Sequence, residues 1–578
     1  MRLVDIFAVA ATLTATAASQ SESCRCFPGD ECWPSPSTWS EFNKSIDGQL
    51  IATVPLGSPC HDPTYDEEIC TLLRTAWTEP EPHYESSSSI MAPFFANASC
   101  DPFQPISKPC LLGNYIFYAV NVSSASQVSK TLAFARENNI RLVIRNTGHD
   151  YQGKSTGAGG LGLWMHHLKD LEFTTHKDSD YTGPALKMGA GVQGFEAYSV
   201  ADENGYQVVG GECPTVGIAG GYTQGGGHSA LSSRYGLGAD QALAWEVVDG
   251  RGRHIIATRD NEHKDLYWAL SGGGGGTYAV VLSLTVKVHP STPVSGLNLT
   301  FSRTGLSREA YYAAISSFQK TQVDIVDAGG MAITTFTNES FILSPVTGPD
   351  IPVDNLISLL QPWISTLNSL SIKYETHSAQ FPTYLSQFTG MQGAIPVGIA
   401  QYGGWLIPRS VVLNSTRELT TAFESIVEDG GTVINVALDV SKNVAGGVDN
   451  AVLPAWREAL VHSTLTTIWD WTDIEAMQEA QRKMTEKYIP LLQRLAPGSG
   501  AYLNEGDFRQ PNFQAAFYGA NYERLSAIKS AYDPDDLFYA LTGVGSEVWG
   551  QKADGRLCRV GNGGLEERRV SLGYSDEL

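Results

Sequence analysis

The chain has 578 residues, more than one hydrophobic core usually serves, so two domains are expected. Its 39 Lys and Arg stand against 61 Asp and Glu, and the formal net charge of −22 argues against nucleic acids and anionic membrane surfaces as partners. Glycine is enriched, at 58 residues, and much of the excess lies in three loops.

The N-terminus predicts a secretory signal peptide over residues 1–17. Arg2 precedes an apolar run at residues 6–13, and Ala15-Thr16-Ala17 offers a small-residue cleavage site. No later stretch is long and apolar enough to span a bilayer, so a soluble mature protein is expected. Glycosylation in the same pathway is predicted at sequons on Asn43, Asn97, Asn121, Asn298, Asn338 and Asn414.

The C-terminus leaves the final compartment open. Its last four residues, Ser575-Asp-Glu-Leu578, resemble an endoplasmic-reticulum retrieval signal in which serine replaces the basic residue. Secretion is the first expectation, and retention through these four residues is the alternative.

The first glycine-bearing loop follows a predicted helix, about Ala125 to Asn138, and a buried strand, Arg141–Ile144. The chain then turns through Arg145-Asn146-Thr147-Gly148-His149. Turn amides and a fixed guanidinium form an anion site, and Gly148 lets a pyrophosphate approach the backbone. His149 then lies within reach of a flavin ring, although a lone histidine here is more often a hydrogen-bonded loop residue.

The second loop carries dense glycines within residues 210–227, which indicates that a large group lies against its backbone. It lacks the Gly-Lys-Ser/Thr of a phosphate-binding loop and the strand-to-helix context of a dinucleotide fingerprint. The third loop, Ser271–Gly276, runs into a β-rich segment at Tyr278–Val286 rather than a helix. Nicotinamide and nucleoside triphosphate binding are therefore disfavoured. The alternative to a ligand-binding loop is that these glycines only form tight β-turns.

Between about residues 291 and 497 the pattern changes. Strand-like runs such as Met331–Phe336 and Thr432–Ala437 alternate with amphipathic helical stretches. This pattern predicts an antiparallel sheet with helices and an α+β fold. The active site is expected at the interface between the two domains.

These motifs resemble the vanillyl-alcohol oxidase and p-cresol methylhydroxylase superfamily. The similarity is greatest to the fungal members of its berberine-bridge-enzyme-like branch, including those described as isoamyl alcohol oxidases. It covers about 108–290 and resumes at Gly500–Asp507, Tyr518–Leu525, Ile528–Pro534 and Leu537-Phe538.

The resemblance implies a p-cresol methylhydroxylase-type FAD-binding domain with an antiparallel sheet-and-helix substrate domain. We divide the chain into a signal peptide (1–17), a Cys-rich N-terminal segment (18–107), the FAD-binding domain (108–290), the substrate-binding domain (291–499), a C-terminal return to the FAD domain (500–560) and a tail (561–578).

The resemblance also implies FAD attached through two covalent bonds. In this branch the histidine of the Gly-His motif bonds the flavin 8α-methyl carbon, and the cysteine of Gly-x-Cys-Pro-Thr-Val-Gly bonds ring carbon 6. Those positions are His149 and Cys213. Further cofactor-binding residues are expected at Arg145, Asn146, Thr147, Gly148, Gly153, Val216, Gly217, Gly220, Gly225, Gly226, Gly227, Asp240 and Asn504.

The nine cysteines fit this assignment. An odd thiol in an oxidising compartment needs a partner or a function. If Cys213 binds the flavin, eight cysteines remain for four disulfides, of which only Cys558 lies outside the N-terminal segment. Their connectivity stays open, although a bond from Cys558 to that segment would act as a staple.

The catalytic base is less clearly encoded. Many relatives have Tyr-x-Asn-Tyr where this chain has Tyr502-Leu503-Asn504-Glu505. Glu505 is a candidate if burial raises its pKa toward neutrality, and Tyr502 is another if a neighbouring charge assists it. In the structural alternative Glu505 pairs with a basic residue and Tyr502 packs. Tyr402 and Asp470 are further candidates, or else belong with the core around them.

The resemblance favours an alcohol oxidase that transfers a hydride to the flavin and releases H2O2. Val216 supports reoxidation by O2, because a small Val at this position in plant relatives accompanies oxygen access. A tailoring enzyme of secondary metabolism, a carbohydrate oxidase and a binding protein without turnover are the alternatives. The expected partners of the chain, taken as a monomer, are O2 and a small-molecule substrate, and no metal site is predicted.

Overall fold

The computed structural model describes residues 23–560. The predicted signal peptide at 1–17, the tail at 561–578 and its Ser575–Leu578 signal lie outside the described residues. Among the residues described, no helix has the length and apolar character that a membrane crossing requires.

The N-terminal segment is joined to the FAD domain. Trp39 and Phe42 of its first helix pack on Phe134, with ring centroids 4.8 and 4.2 Å away, and its strand extends a sheet of that domain. The elements of the segment are α1 (Pro36–Ser45), β1 (Leu50–Ala52), α2 (Glu67–Ala76), α3 (Glu81–Tyr84) and α4 (Pro93–Ala96).

The FAD domain contains two sheets. The first has the order β1-β2-β4-β3, with β4 parallel to β2 and β3, and α5 connects β2 to β3. The second is antiparallel, with the order β5-β6-β10-β8-β9. The elements are β2 (Tyr118–Asn121), α5 (Ala125–Glu137), β3 (Leu142–Arg145), β4 (Leu161–Trp164), β5 (Leu171–Lys177), β6 (Thr182–Gly189), α6 (Gly194–Glu203), β7 (Tyr206–Gln207), α7 (Ser232–Tyr235), α8 (Gly238–Gln241), β8 (Ala242–Asp249), β9 (His254–Thr258), α9 (Lys264–Leu270), β10 (Ala279–Lys287) and β11 (His289–Pro290).

Residues 291–499, which we expect to form the substrate domain, are built on one seven-stranded antiparallel sheet in the order β15-β12-β14-β13-β17-β18-β16. Helix α10 packs against α11 and α14. The elements are β12 (Val294–Ser302), α10 (Arg308–Asp327), β13 (Met331–Phe336), β14 (Ser340–Pro349), α11 (Val353–Ser369), β15 (Glu375–Phe381), α12 (Tyr384–Met391), β16 (Ala400–Pro408), α13 (Arg409–Asn414), α14 (Thr416–Glu428), β17 (Thr432–Ala437), β18 (Ala459–Ile468), α15 (Ile474–Lys483) and α16 (Ile489–Leu495).

The chain then returns to the FAD domain through α17 (Tyr522–Tyr532), β19 (Trp549–Gln551) and β20 (Leu557–Arg559). The α+β prediction is confirmed. Predicted strands Met331–Phe336 and Thr432–Ala437 coincide with β13 and β17, and the predicted helix and strands around the first and third loops match α5, β3 and β10 within one residue.

Four disulfides form, as the cysteine count predicts, and Cys213 is free. Cys558 is bonded to Cys24, which ties the C-terminal return to the start of the described chain. Bonds of this kind are typical of proteins that fold in the secretory pathway. The other three pairs are Cys26–Cys32, Cys60–Cys70 and Cys100–Cys110.

A buried carboxyl lies beside the last of these disulfides. Asp101 is 1% exposed, and neither of its carboxyl oxygens has a hydrogen-bond partner among the described residues. Burial raises the pKa of Asp101 to about 7, against a weaker opposing effect of Lys108. The folded protein therefore favours the protonated form of Asp101. The contribution of this group to the free energy of unfolding is fully present below pH 4 and is lost as the pH rises to 7.

We predict that Asp101→Asn raises the melting temperature at pH 8 and leaves it nearly unchanged at pH 4. The amide removes the charge that burial penalises, an effect of roughly 4 kcal/mol at most. Thermal unfolding at both pH values tests this, with exposed Glu339→Gln as the control. An equal shift at both pH values would assign the effect to packing rather than to charge.

Candidate active site

A pocket with about 1290 Å³ of empty space, including its open mouth, lies at the loops that the sequence singles out. Its walls come from residues 144–155, 211–228 and 502–505, with Gly275, Gly276, Tyr539 and Ala540 completing it. Three loops of the FAD domain and the C-terminal return thus meet at one place.

The first wall is the turn after β3. Gly148 has φ +85°, and a Cβ there would lie 2.5 Å from the Arg145 guanidinium, so only glycine fits. Arg145 is 1% exposed, donates to the carbonyl of His83 at 2.8 Å, and has a pKa lowered by burial to about 10. Its side chain lies under the turn and does not line the pocket, whereas Asn146, Thr147 and Gly148 do.

The two predicted attachment residues meet at a single hydroxyl group. His149 Nε2 lies 2.7 Å from Thr215 Oγ1, and Cys213 Sγ lies 3.6 Å from the same oxygen. His149 and Cys213 both line the pocket. The fold therefore brings together two side chains that belong to separate loops.

The electrostatic setting of these two groups differs. Burial, assisted by His83 and Arg145, lowers the pKa of His149 to about 3, so its imidazole is neutral. Burial raises the pKa of the Cys213 thiol, and hydrogen bonds from Thr215 and from the Val216 amide oppose that increase. Any thiolate at Cys213 depends on those donors.

The glycines of the second loop have two distinct roles. A Cβ on Gly217 or Gly220 would lie 2.6 or 2.8 Å from the Asn146 amide nitrogen, and one on Gly225 would collide with Asn504. These glycines let the two asparagines approach. Gly221, by contrast, lines the pocket and has no atom within 4 Å of its Cβ position.

The residues present fit a flavin. Gly221 and Gly276 leave bare backbone beside open space, and the buried Oδ1 of Asn146 and Oε1 of Gln224 have no partner among the described residues. A flat group that both donates and accepts hydrogen bonds satisfies such a surface. Asn504, from the C-terminal return, also lines the pocket and donates to the carbonyl of Gly221 at 2.9 Å.

Several predicted cofactor residues lie outside the pocket lining. Gly153 has φ +71° and its Cβ position lies 2.5 Å from Phe95, so it serves the turn. Gly226 and Gly227 also have positive φ, at +121° and +78°, and Gly227 packs on Tyr222. The pocket lining also leaves out Arg145, Gly220, Gly225 and Asp240.

Asp240 forms a buried ion pair between domains. Its carboxylate, with no side-chain exposure, accepts hydrogen bonds from Arg457 at 2.8 and 2.9 Å and from Asn450 at 2.7 Å. It also accepts from the amide of Leu237. The glycine loop is thereby connected to the substrate domain through Asp240.

Glu505 lies in a cluster that the sequence does not reveal. Its Oε1 is 3.0 Å from His228 Nε2, and its Oε2 is 2.8 Å from His462 Nε2 and 3.2 Å from Thr464 Oγ1. The other nitrogen of His228, Nδ1, lies 3.2 Å from a carboxylate oxygen of Glu212. His228 directly follows Gly225–Gly227, which was an available signal, whereas His462 lies in β18 without any motif.

The two imidazoles determine the charge of this cluster. Burial alone would raise the pKa of Glu505, but His228 and His462 outweigh it and hold that pKa well below its usual range. Against burial, Glu212 and Glu505 raise the pKa of His228 well above its usual value, while burial keeps the pKa of His462 low. The upward pKa shift named as the condition for Glu505 to act as the base is therefore absent, and the alternative, in which Glu505 pairs with a basic group, is what the structure contains.

The predicted tyrosines are buried or stacked. Tyr502 is 2% exposed, its hydroxyl accepts from Asn504 at 2.8 Å, and burial raises its pKa far above the usual value. Tyr402 stacks on Tyr151 of the pocket wall at 3.8 Å, and burial raises its pKa to about 12. Asp470 is exposed, bonds to Thr472 and lies away from the pocket lining.

The sequons differ in their surroundings. Asn414 is exposed, whereas Asn43 accepts from the amide of Leu50 and Asn121 bonds to Gln49. The half-buried sequon residues are Asn43, Asn97, Asn121, Asn298 and Asn338.

The fold and pocket define a flavin-dependent oxidoreductase, and comparisons with known proteins agree. Residues 118–258 match the FAD binding domain family, and residues 501–545 match the berberine and berberine-like family. The chain is 49% identical over 557 residues to FAD-linked oxidoreductase ZEB1 of Gibberella zeae, covering 95% of this chain and 97% of the relative. It is 44% identical over 559 residues to the bifunctional decalin synthase calF of Penicillium decumbens, covering 94% and 96%.

A solved structure gives the same result. The VAO-type flavoprotein MtVAO615 from Myceliophthora thermophila C1 superimposes with a TM-score of 0.87 at 42% identity, over 93% of this chain and 100% of that one. The chain belongs to the FAD-linked oxidoreductases of the vanillyl-alcohol oxidase and berberine-bridge-enzyme-like type.

We predict that Asp240→Asn lowers stability without changing flavin content. Arg457 would keep a buried charge without its ionic partner, a loss of about 3 kcal/mol. The melting temperature and the ratio of flavin to protein absorbance measure the two effects. If the variant lost flavin but kept a normal melting temperature, Asp240 would be assigned a role in binding the cofactor.

Proposed function

We propose that this protein is an oxidase that removes a hydride from an alcohol carbon, using FAD bound covalently to His149 and Cys213 and O2 as the final acceptor. The observation that carries this proposal is the convergence of both residues on Thr215 in the pocket that Glu505 also lines. When bound, FAD supplies the hydride-accepting ring, and the protein binds the substrate and accepts its proton.

The first task of the chain is to hold the cofactor. Asn146, Thr147 and Gly148 present one wall, Val216, Gly217 and Gly221 a second, and Asn504 a third. Two covalent bonds would fix the ring without a fully closed pocket, which leaves the mouth free for a bulky substrate.

The second task is to accept the hydroxyl proton of the alcohol, which we assign to Glu505. A carboxylate has about four acceptor positions, and His228, His462 and Thr464 occupy three of them. One position is thus left for a substrate hydroxyl on a residue that lines the pocket. The depressed pKa keeps the Glu505 carboxylate ionised in mildly acidic surroundings but also makes it a weaker base, so the assignment rests on its position in the pocket and on its free acceptor site.

The third task is to admit O2. Val216 lines the pocket three residues after Cys213, and its side chain is small and apolar. This supports reoxidation by O2 with release of H2O2. The four disulfides support a secretory location in which O2 is available.

A tailoring oxidoreductase of secondary metabolism is the second candidate, performing dehydrogenation or oxidative cyclisation. The 44% identity to a protein named as a bifunctional decalin synthase supports it. Both candidates use the same pocket and the same two-electron oxidation, and they differ in whether the oxidised carbon bears a hydroxyl group.

For the cofactor, we predict a yellow pellet after acid precipitation, with flavin on the peptides that contain His149 and Cys213. Cys213→Ala should keep flavin through His149, and His149→Ala should keep it through Cys213. The double variant should release all flavin. Absorbance spectra and peptide maps measure this, and full release from the unmodified protein would contradict covalent attachment.

For the base, we predict that Glu505→Gln slows flavin reduction by about 10²-fold, because the amide cannot accept the proton. Anaerobic stopped-flow absorbance with a panel of alcohols measures the rate, and H2O2 released on adding air measures reoxidation. Exposed Glu375→Gln is the control. The rate in the unmodified enzyme should stay flat from pH 7 to pH 4, since the depressed pKa keeps Glu505 ionised over that range. A steep loss below pH 6 would assign the base to another group.

A further inference from the structure

The hydroxyl of Thr215 contacts both proposed attachment residues. It lies 2.7 Å from His149 Nε2 and 3.6 Å from Cys213 Sγ. Its backbone carbonyl accepts a hydrogen bond from the buried Gln193 side chain at 2.8 Å. The backbone at Thr215 is thus held by a buried side chain from outside the loop.

A single hydroxyl has one proton and two lone pairs, which restricts how it serves two neighbours. If Thr215 donates its proton to Cys213 Sγ, it stabilises a developing thiolate. It then accepts from His149 Nε2–H, which selects the imidazole tautomer whose free lone pair is on Nδ1. Both side chains are nucleophilic in this arrangement. If Thr215 instead donated its proton to His149 Nε2 and accepted from the Cys213 thiol, the proton of His149 would lie on Nδ1.

We propose that Thr215 is the positioning residue for covalent attachment of the flavin, because its hydroxyl holds His149 and Cys213 in their nucleophilic states at the same time. The inference rests on the bicovalent attachment proposed above. The buried neutral imidazole and the donors around Cys213 Sγ are consistent with it.

Each attachment is an oxidation in which O2 is the co-reactant. At Cys213 a sulfur–carbon bond forms while the S–H bond and one ring C–H bond break. At His149 a bond would form between Nδ1 and the methyl carbon, while the Nε2–H bond and one methyl C–H bond would break. In both cases the two electrons and two protons finally reach O2 and give H2O2.

The test compares Thr215→Val, which removes the hydroxyl at nearly constant volume, with Thr215→Ser, which keeps it. Thr223→Val is the matched control, because Thr223 is a buried threonine of the same loop that does not line the pocket and whose hydroxyl is unpaired among the described residues. Cells producing each variant are sampled at intervals after translation is blocked. Peptide maps of the captured protein then give the fraction of chains with flavin at each site.

We expect Thr215→Val to slow attachment at Cys213 about tenfold or more and to reduce attachment at His149. Thr215→Ser should restore most of the rate, and Thr223→Val should match the unmodified protein. Normal attachment in Thr215→Val would overturn the role of Thr215 while leaving bicovalent attachment intact. Absence of covalent flavin from the unmodified protein would instead overturn the proposed attachment and, with it, this inference. Equal melting temperatures for the variants would exclude misfolding as the cause. Slow flavin attachment in a Thr215→Ser variant with a normal melting temperature would also contradict the role of the hydroxyl.

Discussion

The carboxylate of Glu505 joins three parts of the chain in one network. It belongs to the C-terminal return, His228 to the glycine loop of the FAD domain, and His462 to the sheet of the substrate domain. Because the Glu505 carboxylate is largely withdrawn from solvent, displacing His228 or His462 would remove a partner that stabilises its charge. The shape of the pocket therefore depends on this contact, and the Asp240–Arg457 pair reinforces the same domain interface.

The pocket also depends on glycines, whose lack of a side chain leaves room for neighbouring groups. Gly217, Gly220 and Gly225 let Asn146 and Asn504 approach the loop, and Gly221 leaves the backbone bare toward the open space. The side-chain oxygens of Asn146 and Gln224 have no partner among the described residues and are available to a bound group that donates hydrogen bonds. The sequence shows only that glycines are dense in this loop. The way in which the loop folds places them so that they form a binding surface.

Much of the fold was predictable from local patterns. The strand at Met331–Phe336 and the helix from Ala125 follow directly from periodicity. The odd cysteine count predicts one unpaired cysteine, and the family resemblance identifies it as Cys213. Arg145 and Asp240 show where this reasoning ends. Both were expected at the cofactor, yet Arg145 lies beneath a turn and Asp240 pairs with Arg457 across the domain interface. Charge and spacing do not reveal the direction in which a side chain points.

The sequence by itself determined the family, the FAD-binding loops, the α+β architecture and the number of disulfides, because each depends on residues close together in the chain or on simple counts. Only the tertiary structure decided which groups act on one another. His228 and Glu505 are 277 positions apart, and His149 and Thr215 are 66 apart, so no local pattern links them. The pKa of Glu505 was decided there too, because it depends on charges that only folding brings within hydrogen-bonding distance.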